Sequence, residues 1–71
     1  MTGKEISRLM RRHHVTIDAL HKRMGIMKKR IRHIRFHGLS DEFTVRDWLQ
    51  GITGTDPGPV DVHGRPKGGA E

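Results

Sequence analysis

The spacing of the apolar residues between positions 15 and 38 constrains the fold of this chain more than any other feature. Large apolar side chains recur there in two groups at helical spacing, at Leu20, Met24, Ile26, Ile31 and Ile34. Gly25 stands between the groups, where a glycine in the left-handed conformation commonly ends a helix. The pattern predicts two short helices joined by a tight turn, which is a helix-turn-helix over residues 16–37.

Capping signals predict where the first two helices begin. Thr2 followed by Glu5 is a capping box, which starts a first helix. Thr16 is a good N-cap for the second helix, because a threonine hydroxyl accepts from backbone amides that have no partner within the helix. The third helix is predicted to run from about Met27 to Phe36.

A fourth helix is predicted after a polar connection at residues 39–43. Thr44 followed by Asp47 is another capping box, and Gly54 is a suitable stop. Four side chains of the first and fourth helices are assigned to the core: Ile6, Leu9, Met10 and Trp48. The chain is therefore predicted to be all-α, with a small four-helix domain at residues 1–54.

Residues 55–71 have a different composition. They are rich in glycine and proline and nearly free of large apolar side chains. Such a segment buries too little surface to offset the entropy lost on ordering. It is predicted to be a disordered, flexible C-terminal tail or a truncated linker.

Basic residues are concentrated in the half of the chain that contains the predicted helix-turn-helix. The net charge of the chain is +6. Residues 1–38 contain eleven Lys and Arg but two Asp and Glu, a net charge of +9, whereas residues 39–71 contain three and six, a net charge of −3. Such asymmetry is typical of a face that binds a polyanion. The alternative is a basic surface that only keeps a small protein in solution.

Several function classes are disfavoured. The chain has no cysteine, so neither a disulfide framework nor a cysteine zinc site is expected. His33 and His37 are four residues apart, but Glu5 and Asp18 are poorly spaced to complete a metal site. No apolar run approaches the roughly 20 residues of a transmembrane helix, and no nucleophile, base and orienting acid can be assigned together. We expect a cytoplasmic protein, associated with the nucleoid or a plasmid, without enzyme activity, cofactor, metal, membrane contact or small-molecule substrate.

Residues 16–38 resemble the helix-turn-helix of the Cro/C1-type (phage repressor-like, XRE) class of DNA-binding proteins. In that class a threonine opens the second helix, and leucine, leucine-glycine-valine, isoleucine and isoleucine follow at fixed offsets. This chain has Thr16, Leu20, Met24-Gly25-Ile26, Ile31 and Ile34 at those offsets without a gap. With its flanking helices the resemblance covers roughly residues 2–54. It implies a lambda repressor-like fold whose third helix enters the major groove of double-stranded DNA.

Three positions depart from this class. His21 stands where the class usually has a small residue, so it is expected to alter the angle between the helices or to point partly outward. Ile17 replaces a glutamine that helps to anchor the second helix to phosphate, and is expected to contact a thymine methyl group or to join the core. Met27 replaces the usual serine or threonine N-cap of the third helix, which makes Lys28 the better candidate for polar readout.

Two sets of DNA contacts are predicted from the resemblance and from the exposed face of the third helix. Base readout is assigned to residues at the start of that helix: Met27, Lys28, Lys29, Arg32 and His33. Phosphate contacts are assigned to Arg11, Arg12, Thr16, Ile17, Lys22, Arg23, Arg30, Arg35 and His37. Because lysine and arginine usually donate to guanine O6 and N7, the DNA site is expected to contain G·C pairs.

The predicted function is sequence-specific binding of double-stranded DNA by a transcriptional repressor encoded on a plasmid or other mobile element. Such domains bind as homodimers on inverted half-sites or as cooperative arrays on direct repeats. Residues 45–54 are also similar to the N-terminal DNA-binding part of plasmid stability (StbA-type) proteins, so plasmid partition through direct repeats is one alternative. RNA binding and an antitoxin-type interaction module are the others.

Overall fold

The structure is a computed structural model that describes residues 1–67. Four helices follow one another, α1 (Gly3–Arg12), α2 (Ile17–Met24), α3 (Lys28–His37) and α4 (Glu42–Thr53). Helix α3 packs against α1 and α2, and α4 packs against α2. The prediction of a small all-α domain with four helices is confirmed.

Local caps place the ends of α1 and α2 as predicted. The amide of Glu5 donates to Oγ1 of Thr2 at 3.1 Å, and the amide of Thr2 donates to Oε1 of Glu5 at 2.8 Å. The hydroxyl of Thr16 accepts from the amide of Ala19 at 3.0 Å. Gly25 ends α2 in the left-handed conformation, with a φ of 69°. These bonds join partners three residues apart, which is why the sequence alone reveals them.

Helix α4 begins earlier than the sequence predicts. Its N-cap is Asp41, whose Oδ2 accepts from both the amide and the hydroxyl of Thr44 at 2.9 Å. The predicted capping box of Thr44 with Asp47 is therefore wrong, and the connection predicted at residues 39–43 ends at Asp41. Aspartate is as good an N-cap as threonine, and the earlier start adds Glu42, Phe43 and Thr44 to the helix.

One main core lies between the helices. Its buried members are Ile6, Met10, Val15, Leu20, Ile31, Ile34, Trp48 and Ile52. The assignments of Ile6, Met10 and Trp48 to the core are confirmed. Leu9 is half-buried and packs against both this core and a smaller cluster of Val45, Leu49 and Val60.

Residues 55–67 pack on α4, which corrects the prediction of a disordered tail for this part of the chain. Val60 is 4% exposed and lies against Val45 and Leu49. It also forms an antiparallel bridge with Pro66, and the Asp61 carboxylate between them accepts from two backbone amides within the turn. The segment is ordered despite its composition because Val60 packs on an apolar surface of α4. The predicted tail at residues 68–71 lies outside the described residues.

Two ion pairs tie this segment to α4. Nε and Nη2 of Arg46 donate to the two carboxylate oxygens of Asp56 at 3.0 and 2.9 Å. Nζ of Lys67 lies 2.7 Å from Oε1 of Glu42. These contacts join residues ten or more positions apart, so helical spacing gives no indication of them.

Acid is expected to weaken the attachment of this segment. Hydrogen bonds from Arg46 lower the pKa of Asp56 from its ordinary value of 3.8 to about 2. Because the folded pKa lies below the unfolded one, the ion pair stabilises the fold above about pH 4, and this contribution is lost as the pH falls toward 2. We expect the urea midpoint of unfolding to fall between about pH 5 and pH 2. The fall should be smaller in Asp56→Asn; the same pH dependence in both proteins would contradict the assignment.

Candidate nucleic-acid interface

Helix α3 is held to the rest of the protein along one narrow side. Its buried residues are Ile31 and Ile34, which are 0% and 5% exposed and lie three positions apart on one face. Arg35 is half-buried beside them. The remaining seven residues are exposed: Lys28, Lys29, Arg30, Arg32, His33, Phe36 and His37. Most of the circumference of a strongly basic helix is therefore open to a ligand.

The turn between α2 and α3 shows how His21 is accommodated. Nδ1 of His21 lies 2.5 Å from the carbonyl oxygen of Ile26. Since a carbonyl oxygen can only accept, Nδ1 carries the proton and donates. His21 is half-buried, and its hydrogen bond closes the turn at residues 25–27. Met27, the N-cap of α3, makes no side-chain capping bond and is 68% exposed.

Six of the predicted contact residues meet at one depression beside α3. This shallow concavity of about 490 Å³ lies where the end of α1, the start of α2 and the face of α3 come together. The six are Arg11, Thr16, Ile17, Lys28, Arg32 and Arg35. The start of α2 opens onto it, and the amides of a helix N-terminus attract anions. The arrangement can bind a phosphate group beside the exposed face of α3.

Two of these residues use their side chains within the protein. The hydroxyl of Thr16 caps α2. Ile17 is half-buried and packs against the main core, which is one of the two outcomes expected for it. Any phosphate contact at these positions therefore falls to the backbone amides of the first turn of α2.

The other flank of α3 carries a second group of predicted contact residues. Met27, Lys29, Arg30 and His33 line an open concavity of about 370 Å³. The ring of His33 lies beside that of His37, with the ring centroids 4.2 Å apart. Both flanks of α3 thus present groups that can donate hydrogen bonds to DNA.

Asp18 is the one carboxylate that lines the depression at the start of α2. Its Oδ1 lies 2.8 Å from Nζ of Lys28, and its Oδ2 lies 3.2 Å from Nζ of Lys22. Hydrogen bonds from Lys28 and then Lys22 lower the pKa of Asp18 below its ordinary value of 3.8. Without DNA, this carboxylate neutralises part of the charge of two predicted contact residues.

Removal of the Asp18 charge is expected to strengthen DNA binding. In Asp18→Asn, Lys28 and Lys22 lose an internal competitor for DNA, so the dissociation constant should fall by about three- to tenfold at low salt. The gain should shrink as salt rises. Fluorescence anisotropy with a labelled duplex measures both effects, and Asp47→Asn, which removes a charge from α4, is the matched control. Equal effects of the two substitutions would contradict the local competition.

The structure directs Arg23 away from α3. Its Nη1 donates to the carbonyls of Gly51 and Ile52, at 3.2 and 3.4 Å, near the end of α4. Arg23 also lines a separate concavity of about 540 Å³ that includes no residue of α3. Carbonyls in the last turn of a helix lack partners within it, and a guanidinium satisfies them. The structure therefore does not bring Arg23 to the surface formed by the other predicted residues. Arg12 is exposed, but it also lies outside the concavities on both flanks of α3.

Three residues near α3 were not among the predicted contacts. The side chain of Phe36 is 81% exposed near the end of α3. Lys4 and Arg8 of α1 line a concavity together with Phe36 and Arg35. The i, i+4 and i+7 spacing of Lys4, Arg8 and Arg11 was a signal for one basic stripe on α1, but the spacing does not show which neighbour the stripe faces.

Residues 1–67 contain no cluster of three or more histidine, aspartate or glutamate side chains placed to hold a metal ion. Among these residues, no helix is both long and apolar enough to cross a membrane.

Comparison of the chain with models of known protein families, with curated proteins and with solved structures finds no match.

Proposed function

We propose that this protein binds double-stranded DNA sequence-specifically, with α3 in the major groove, and that it acts as a transcriptional repressor of a small operon on a plasmid or other mobile element. The resemblance of residues 16–38 to the Cro/C1-type class supports the repressor role. The same resemblance supports the helix-turn-helix fold of a DNA-binding domain, but a fold alone does not define function.

One observation carries the proposal: α3 is a basic helix whose contact with the core is limited to a narrow side. An α-helix fits the major groove of B-form DNA, so a protruding helix can bring its side chains to base edges. Seven of the ten residues of α3 are exposed, and five of those are Lys, Arg or His at positions 28–33. A core helix of the same length would have to bury more of its circumference.

Phosphate contacts supply most of the affinity in this proposal. Arg11 and Arg35 lie with the start of α2 around the depression beside α3. Arg30 lies on the other flank. Cations on both sides of the inserted helix can contact the two strands that border the groove. Each neutralised phosphate releases counterions, so binding should weaken steeply with salt.

Base readout falls to the exposed side of α3. Lys29 and Arg32 lie three positions apart on the side away from Ile31 and Ile34. Lys28 and His33 extend the same surface. Arginine and lysine donate to guanine O6 and N7, so this set favours a site with G·C pairs.

A second candidate ligand is single-stranded RNA, which the exposed ring of Phe36 favours. RNA-binding modules commonly stack unpaired bases on exposed aromatic side chains. Phe36 is 81% exposed, and its ring lies 4.9 Å from that of His37 in an edge-on arrangement. A stacking role predicts that Phe36→Ala weakens binding to unpaired RNA more than binding to duplex DNA.

The test begins with selection from a pool of random duplex DNA, followed by titration of the selected site and of a scrambled duplex at two salt concentrations. We expect a recovered motif and a specificity ratio above roughly 10³. An inverted repeat would indicate a dimer, and direct repeats would indicate an array of the kind expected for plasmid partition. Salt-sensitive binding without a motif, or tighter binding to single-stranded RNA than to the selected duplex, would overturn the proposal.

A further inference from the structure

A second cationic surface lies on α1, beside the end of α3. Lys4, Arg8 and Arg11 follow the i, i+4, i+7 spacing that places side chains on one face of a helix. Together with Ser7, Arg35 and Phe36 they line a concavity of about 380 Å³. No acidic residue lines it. We refer to Lys4, Arg8, Arg11 and Arg35 as the α1 basic surface.

Gly3 explains why this surface forms. A Cβ atom at Gly3 would lie 2.2 Å from the carbonyl oxygen of Arg35 and 2.8 Å from that of Phe36. The first turn of α1 therefore lies directly against the last turn of α3, a distance that only a residue without a side chain permits. This close approach brings Lys4 and Arg8 beside Arg35.

The charges of the α1 basic surface have no internal partner. Within residues 1–67, none of its four cations lies within ion-pair distance of a carboxylate. Glu5, the acid of α1, is engaged with Thr2 in the capping box. Nε of Arg35 donates to Oγ of Ser7 at 3.2 Å, which orients the guanidinium and leaves its terminal nitrogens for a ligand. Four like charges held together favour an anionic ligand.

The position of the surface indicates which anion it takes. Ser7, Arg11 and Arg35 line both this concavity and the depression at the start of α2. The two concavities are thus neighbours that share residues, and together they extend from the start of α2 along α1. A ligand that occupies both must be a long polyanion, and a sugar–phosphate strand has this form.

We propose that the α1 basic surface is a second phosphate-binding site, which binds the DNA backbone outside the base pairs that α3 reads. The inference rests on the proposed function for its ligand. The added contacts are electrostatic and independent of base identity, because phosphates do not report sequence. The protein then needs more DNA for full affinity than the base pairs it recognises.

The test compares the full chain with Lys4→Ala/Arg8→Ala on three duplexes. The first carries the selected site with about ten flanking base pairs, one helical turn, on each side. The second ends at the site, and the third is a scrambled duplex of the longer length. The dissociation constant is measured over a range of salt concentrations. Both substituted side chains are exposed and make no hydrogen bond or ion pair within residues 1–67, so folding should be retained, which circular dichroism checks.

We expect the variant to bind the long selected duplex about tenfold more weakly, with a salt slope lower by about one to two. The scrambled duplex should show a similar loss, and the short duplex little or none. Arg65→Ala removes one positive charge from the segment packed on α4, where the side chain is exposed and makes no ion pair within residues 1–67. It is the charge control, for which the salt slope should change much less. An unchanged slope on the long duplexes, or an equal loss on the short duplex, would overturn the second site.

The two proposals fail in different ways in this experiment. If wild-type protein shows no preference for a selected over a scrambled duplex, sequence-specific recognition is wrong. The α1 basic surface still stands in that case if the double variant lowers the salt slope on the long scrambled duplex. A wild-type protein that binds no duplex overturns both.

Discussion

Replacement of both Lys29 and Arg32 by alanine is expected to weaken binding to the selected DNA site by about 10²- to 10³-fold, because each good pairing with a guanine edge contributes about 1–3 kcal/mol of discrimination. Both side chains lie on the exposed side of α3. In the proposed complex this side faces the floor of the major groove. The loss should be much smaller on scrambled DNA, where these residues contribute charge but no base pairing.

Fluorescence anisotropy with both duplexes at one salt concentration measures the effect. Arg65→Ala removes one positive charge from the segment on α4, and twice its effect on the logarithm of the dissociation constant sets the scale for the loss of two charges alone. A urea titration of the double variant checks that α3 remains folded. Equal losses on the selected and scrambled duplexes would show that Lys29 and Arg32 contact phosphates, and the assignment to base readout would be wrong.

Gly38→Ala is expected to lower the free energy of unfolding by about 3–5 kcal/mol, through backbone strain and overpacking together. Gly38 caps α3 with a φ of 86° and a ψ of −172°, a conformation that is essentially restricted to glycine. A Cβ atom there would lie 2.5 Å from the carbonyl oxygen of Met1. The same carbonyl accepts from the amide of Leu39 at 2.7 Å, so it cannot retreat without loss of that bond.

This loss is large for so short a chain. At about 0.05–0.15 kcal/mol per residue, a domain of this size has a total stability of about 4–10 kcal/mol. Chemical unfolding followed by circular dichroism gives the difference between wild type and variant. Gly54→Ala is the matched control, because Gly54 has a φ of 81° but nothing within 4 Å of an added Cβ atom. The control should lose about 1 kcal/mol from left-handed strain alone. Equal losses in the two variants would show that the contact of an added Cβ atom with Met1 does not contribute to the effect of Gly38→Ala.

Much of the helical architecture could be predicted because its signals are local. The caps at Thr2, Thr16, Gly25 and Gly54 each act within about one turn of the helix they limit. The start of α4 was mispredicted for the same reason. Asp41 and Thr44 are both residue types that favour the N-cap, and the structure uses Asp41, whose carboxylate accepts from the amide of Thr44.

The sequence predicts which residues form the candidate interface better than it predicts how their side chains are arranged. The basic side of α3 follows from the positions of Ile31 and Ile34. The sequence does not show that Asp18 pairs with Lys28 across the turn, or that Arg23 donates to the end of α4. Those partners depend on where α2 and α4 lie. The sequence gives the charge of a side chain but not the residue with which it will pair.

The amino-acid sequence alone determined the four helices and their amphipathic faces, which depend on residues about four positions apart, and the charge of α3, which follows from its composition. Contacts between residues far apart in the chain account for the rest. Val60 covers α4 although its own segment has little hydrophobicity, since the burial of one side chain depends on the surface it meets. Gly3 brings α1 against α3 and so assembles the α1 basic surface. Nothing in the neighbouring sequence indicates either contact, because the free energy that stabilises each comes from surfaces that exist only after the helices have packed.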